Sequence, residues 1–298
     1  MHGTASEYDR SLRAVAGRMG VELKEVPQWV CCGATSAHAV DAQTALCLAA
    51  DTLAKAQGAG MERVLAPCAM CYQRLAAAAC EMSHERELGV RVAMALGEKP
   101  DLAWEKVKPL SVLGWLEGVG DEELAGLVNK PLKGLKVACY YGCLLVRPAK
   151  LTGVDNVEAP RSMERLVKLA GAEPVRWSMA LECCGGSFAL SRKGVVLRQG
   201  RRIYDAARRV GADVIVLACP MCHANLDLRQ AAYAKGEAAV PVLYLTQLLG
   251  LAMGVDEDDL GLDKHFVPVS ATLEAALARP QATAVPAAAK AASAAAAG

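Results

Sequence analysis

A doubled cysteine pattern governs what this chain can become. Cys31-Cys32-Gly33 recurs as Cys183-Cys184-Gly185, and Cys68-Ala69-Met70-Cys71 recurs as Cys219-Pro220-Met221-Cys222, with nearly equal spacing between the two motifs in each copy. The surroundings repeat as well. Leu12, Val15, Ala16 and Met19 have helical spacing ahead of the first Cys pair, and Met163, Leu166, Val167 and Ala170 have it ahead of the second. Each pattern stops at a glycine, Gly20 or Gly171. After each Cys pair a second helix is predicted, on Leu46, Ala50, Leu53 and Ala54 and on Ile203, Ala207 and Val210. The β-type runs Arg63-Val64-Leu65-Ala66 and Asp213 to Ala218 then lead directly into the Cys-x-x-Cys pairs. The tails match too, since 121–127 resembles 256–262.

Helices alternating with short buried strands specify an α/β fold. The expectation is two tandem pseudo-symmetric modules with mostly parallel strands and flanking helices. Residues 1–130 form the first, N-terminally incomplete module and 131–268 the second; 269–298 is an Ala/Pro-rich tail expected to be disordered or weakly helical, outside the core. In such folds ligands sit beyond the C-terminal strand ends, where this reading places the cysteines.

Composition narrows the function. A net charge of +1 argues against nucleic acid as a partner, because phosphate binding leaves a basic excess. No apolar run is long enough to span a bilayer, and Met1 to Arg10 lacks the apolar core of a signal peptide. The chain is therefore read as cytoplasmic. Twelve cysteines in a cytoplasmic chain point to metal or redox chemistry, not disulfides.

The second module is the more complete. Cys143 follows Gly142 at the end of the strand-like run Val137 to Tyr141, and joins Cys183, Cys184, Cys219 and Cys222. Five thiols exceed the four of tetrahedral zinc and suit an iron–sulfur cluster; zinc at one of the sites is the alternative. The first module shows Cys31, Cys32, Cys68 and Cys71. Adjacent Cys residues bring two sulfurs to one small object. Gly33 and Gly185 allow positive φ and remove a side chain where backbone approaches the cluster. Cys139 is a weaker ligand candidate than Cys143, and Cys47 and Cys80 fall on predicted helices outside the pattern.

The order Cys-x(39)-Cys-Cys-Gly-x(33)-Cys-x-x-Cys from Cys143 to Cys222 resembles the CCG domain, and the pair of domains resembles the B-type subunits of heterodisulfide reductase. His2-Gly3-Thr4-Ala5, Cys31 to His38, Ala66-Pro67-Cys68, Tyr141-Gly142-Cys143 with Arg147-Pro148, and Leu262-Asp263-Lys264-His265-Phe266 carry the resemblance, which runs to about Val267. It implies two noncubane 4Fe–4S clusters, each held by five cysteines, with a disulfide substrate split between them in one-electron steps. It implies a ferredoxin-like iron–sulfur subunit and a flavin-containing subunit as partners. Cys31, Cys32, Cys183 and Cys184 would be the ligands facing substrate. One departure stands out: the family places a strand and a Tyr-Pro-Gly-Cys segment just before His-Gly-Thr-Ala. Here Met1 directly precedes His2. Either the start lies upstream or the first cluster is altered, and the first module is expected to be the less stable.

The expected function is the catalytic subunit of a heterodisulfide reductase-type complex. The substrate is the coenzyme M–coenzyme B heterodisulfide or a related small-molecule or protein disulfide. Two rivals are a non-catalytic iron–sulfur relay subunit of a hydroxyacid oxidase or dehydrogenase complex, and a metal-free dithiol oxidoreductase, in which the vicinal pairs have no task. His38 and His223 adjoin the cysteine motifs and are candidate proton donors to a leaving thiolate. Arg192, Lys193, Arg198, Arg201, Arg202, Arg208 and Arg209 read as a solvated helix face or a dock for an acidic partner.

Overall fold

A computed structural model gives the fold and describes residues 5–34, 37–153 and 155–279. Among the described residues, the first repeat contributes the strands β1 (Arg63–Ala66) and β2 (Lys108–Ser111). They pair in parallel, with Val64 opposite Pro109. Four belong to the second: β3 (Lys136–Tyr140), β4 (Glu173–Pro174), β5 (Val214–Leu217) and β6 (Val242–Tyr244). They form one parallel sheet in the order β4-β3-β5-β6. Every residue of β5 is buried, as expected of a central parallel strand covered on both faces.

The helices form where the spacing places them. Ser6–Arg18 and Ser162–Leu169 lead each repeat and bury Leu12, Val15 and Ala16 or Met163, Leu166 and Val167. Gly20 and Gly171 follow them with φ of 70° and 81°, the left-handed geometry that ends a helix cheaply only in glycine. Ala42–Gly58 and Lys193–Arg209 follow the Cys pairs. On the second of these, Arg201 and Arg208 pair with Glu237, while Arg192, Lys193, Arg198, Arg202 and Arg209 are exposed.

The two repeats interlock. Ser6–Arg18 packs on Leu245–Ala252 and Glu257–Leu260, two helices of the other repeat. Reciprocally, Ser162–Leu169 packs on Val112–Glu117 and Asp121–Gly126, where Arg165 pairs with Asp121. Tyr8, Leu12 and Val15 therefore share a core with Val137, Val216 and Leu248. A smaller core, with Ala50, Leu53, Val64 and Tyr72, lies under β1. The break near residue 130 divides the repeats in sequence but not the packing.

The tail departs from expectation. Val269, Leu273 and Ala276 are buried, Ser270–Leu277 is helical, and Arg279 binds Asp213 at 2.6 Å. The spacing 269, 273, 276 is an apolar helical stripe that the Ala-rich composition disguises. Packed structure thus continues to Arg279; 280–298 lies outside the described residues.

Candidate functional site

Each Cys-x-x-Cys pair follows a parallel strand directly. Cys68 and Cys219 are the N-caps of Ala69–His84 and Pro220–Leu226, so Cys71 and Cys222 stand in the first turn of a helix. A helix N-terminus favours thiolate, since its unpaired N–H groups present partial positive charge. Cys143 follows β3, placing three cysteine-bearing loops at C-terminal strand ends.

The sulfurs of the two repeats meet. Cys32 donates to Cys71 at 2.9 Å. Cys68 lies beside both Cys71 and Cys219, Cys219 lies beside Cys222, and Cys184 and Cys222 stand 3.3 Å apart. An unbroken run of six sulfurs, Cys32–Cys71–Cys68–Cys219–Cys222–Cys184, thus crosses from one module to the other. Cys143 and Cys183 form a further neighbouring pair beside it. The separations exceed the roughly 2 Å of a disulfide, and all twelve thiols are free. Cys32, Cys184, Cys219 and Cys222 are buried, whereas Cys31 and Cys183 are exposed. Met70, Leu144 and Met221 pack between the two sets and shield them from water.

Hydrogen bonding divides the thiols into donors and acceptors. Cys71, receiving from Cys32 and Cys68, lies below the usual thiol range. Cys219 is lowered by Cys222 and Cys68, and Cys183 by Cys143 and then by the amides of Gly185 and Gly186. Their donors are raised: Cys32 by Cys71, Cys68 by Cys219, and Cys143 by Cys183, each reinforced by burial. The protein therefore favours several thiolates close together, a donor set suited to a soft cationic metal centre. In the second site five sulfurs converge with an amide N–H donating to Cys183 at 3.3 Å and Asn225 Nδ2 to Cys184 at 3.5 Å. That set fits an iron–sulfur group and exceeds what zinc takes.

Other candidates fall into place. Cys139 lies fully buried in β3, away from the sulfur chain, and Cys80 faces His84 on Ala69–His84. Cys47 sits on Ala42–Gly58. Gly33 and Gly185 do adopt positive φ, 65° and 84°. Their close approaches, though, are to helix atoms: an added Cβ would lie 2.6 Å from Ala37 Cβ or 3.3 Å from Val196 Cα. The room they leave is taken by the following helix.

His38 belongs to the short helix Ala37–Val40, and its side chain lies outside the described residues. His223 is buried, stacks on Tyr244 at 4.5 Å, and places Nε2 3.2 Å from both Val242 O and His265 Nδ1. Burial, and then His265, lower its pKa to about 3. It is neutral at physiological pH and packs in the core between Tyr244 and His265. Asp227 lies in the same cluster, but its two oxygens accept from the Phe266 and Val267 amides, and His265 is held by Gln247.

Tyr8 escaped sequence reasoning. It is fully buried, stacks on Tyr244 at 4.0 Å, and its hydroxyl has no partner among the described residues. Burial first, then the nearby Cys219 and Cys68, raise its pKa and keep it protonated. Its place one turn ahead of Leu12 on the apolar stripe was the available signal.

The CCG cysteine-rich domain pattern matches residues 1–76 and 137–227, the two segments that carry the sulfur chain. The chain belongs to the CCG cysteine-rich domain family. Among its relatives, the 8-methylmenaquinol:fumarate reductase membrane anchor subunit of Wolinella succinogenes is 33% identical over 266 residues, covering 88% of this chain and 92% of that one. The B-type subunit of the ferredoxin:CoB-CoM heterodisulfide reductase of Methanosarcina mazei is 30% identical, covering 87% and 88%. The fold of this CCG chain also resembles the crystal structure of a hypothetical protein from Helicobacter pylori, with a TM-score of 0.70 at 17% identity. The match covers 88% of this chain but about half (49%) of the Helicobacter protein.

Proposed function

We propose that this chain is an iron–sulfur disulfide reductase subunit of the heterodisulfide reductase type. The observation that carries the reading is the sulfur chain: two cysteine sets, one per repeat, abut at Cys68 and Cys219. Iron–sulfur clusters, when bound, supply single reducing equivalents and iron that takes a thiolate. Cys143, Cys183, Cys184, Cys219 and Cys222 would hold one, and Cys31, Cys32, Cys68 and Cys71 the other. Reduction of a disulfide breaks one S–S bond, consumes two electrons and two protons, and yields two thiols. Two sites facing one interface match a two-electron reaction built from single-electron deliveries. Met70, Leu144 and Met221 keep that interface apolar. A ferredoxin-like subunit and a flavin-containing subunit are the partners this reading requires.

The decisive experiment is anaerobic purification followed by iron analysis and assay with reduced viologen. Roughly eight irons per chain and disulfide cleavage by the chain are expected. Cys143→Ser should remove iron from the second site, whereas Cys139→Ser should not. A colourless, iron-free protein would sink the reading.

Similarity to the fumarate reductase anchor subunit favours a second reading, an electron-relay subunit of a membrane-associated reductase. Iron without disulfide cleavage would select it. Among the described residues no helix is long and apolar enough to cross a membrane.

A further inference from the structure

Asn225 stands one turn beyond Cys222 on the helix Pro220–Leu226 and is only 1% exposed. Its Nδ2 lies 3.4 Å from Cys184 O and 3.5 Å from Cys184 Sγ. Its Oδ1 is buried as well and has no partner among the described residues. An amide oxygen left unpaired away from water costs about 1–3 kcal/mol. Turning the amide over would not relieve it. The oxygen would then face a carbonyl, which only accepts, and a sulfur whose own proton goes to Cys222. The donor side of the amide is therefore the side turned to Cys184.

An apolar side chain would fill the same buried position without that cost. What the amide gains in return depends on the charge of the sulfur. A hydrogen bond to an ionised acceptor is about twice as strong as one to a neutral group, and a cysteine that ligates iron does so as a thiolate. Hydrogen bonds to the sulfurs are among the levers that set the potential of an iron–sulfur group. They stabilise the more negative, reduced form more than the oxidised one. The first repeat lacks this device: position 74 relates to Cys71 as 225 does to Cys222, and it carries a half-buried arginine, Arg74.

We infer that Asn225 is a positioning residue of the second site: its side-chain N–H donates to the sulfur of Cys184 as that sulfur ligates iron, and so raises the reduction potential of the second site and not of the first. Its role as a donor to a ligand sulfur rests on the iron–sulfur reading.

The test is a potentiometric titration of the anaerobically purified full chain, read by electron paramagnetic resonance, with iron measured on the same samples. Asn225→Leu should keep the parent's iron content and lower one of two midpoints. The expected size is about a tenfold change in the one-electron equilibrium, which is about 59 mV. The other midpoint should stay in place. A second measurement needs no substitution and covers a variant that loses iron or fails to fold. The parent chain is labelled with asparagine carrying 15N only at the side-chain amide. Of its three asparagines, Asn129 donates to Met253 O and Asn156 accepts from the Glu158 and Ala159 amides, so Asn225 is the one at a cysteine sulfur. Pulsed resonance of the reduced chain should show a 15N coupling. Midpoints that stay or rise in an iron-loaded Asn225→Leu protein, an equal shift of both, or a labelled reduced chain without 15N coupling would each overturn the inference and leave the iron–sulfur reading standing. An iron-free parent would overturn both.

Discussion

At the scale of single residues, partnering decides what each buried polar group does to stability. Tyr8 and Ser11 make the contrast, lying three residues apart on one helix. Ser11 Oγ shares a 2.7 Å hydrogen bond with Thr246, and both residues are fully buried. Ser11→Ala strands the Thr246 hydroxyl and should cost about 1–3 kcal/mol in chemical denaturation. Tyr8→Phe removes a hydroxyl that has no partner among the described residues, so it should be neutral or stabilising by up to about 1 kcal/mol. A clear loss for Tyr8→Phe would mean that the hydroxyl has a partner in the loaded protein. Asp227 sets a pH dependence. Burial raises its pKa to about 6, against the pull of the two amides it accepts. The unfolded carboxyl titrates near 3.9, so the folded state holds the proton more tightly between those values. Stability should therefore fall by up to about 3 kcal/mol as pH rises from about 4 to about 6. Denaturation midpoints across that range should show the slope in the parent chain and a flatter profile in Asp227→Asn.

At the scale of elements, the strand-to-helix turns carry the paired cysteines. A parallel strand hands a cysteine to the N-cap, and the next cysteine falls within the first helical turn. The Cys-Cys-Gly loops depend on their glycines for backbone geometry. Gly185 has φ of 84°, and a Cβ there would press on Val196 Cα at 3.3 Å. Gly211 has φ of 66° with open space around it. Gly211→Ala should cost about 1 kcal/mol, the left-handed penalty alone. Gly185→Ala adds a steric conflict with the helix behind the loop and should cost more in thermal denaturation, about 2–3 kcal/mol. Equal losses would refute the claim that the loop is pinned against Lys193–Arg209. Strand and helix positions at this scale were legible from periodicity: Arg63–Ala66, Val214–Leu217 and both leading helices stand where the spacing places them. The short helix Ser270–Leu277 was not, because alanine supports helix in any setting and hides a three-residue apolar stripe.

At the scale of the whole molecule, the reciprocal exchange of helices makes the repeats depend on each other. Tyr8, Leu12 and Val15 complete the core of the second sheet. Calorimetry should therefore show one main unfolding transition, and residues 131–298 expressed alone should be destabilised or aggregate. Two well-separated transitions of equal size would contradict the shared core. The amino-acid sequence by itself determined the repeat, the strand–cysteine order and the family, because these are local patterns in which spacing maps directly onto backbone geometry. It also marked the cysteines that the fold brings together, since chemistry-bearing residues keep their identity in any fold. Only the tertiary structure decided that Cys68 meets Cys219, that Tyr8 lies buried beside them, and that Asn225 reaches Cys184. Those facts depend on how two surfaces dock across long separations, and no local periodicity records a contact between residues far apart in the chain.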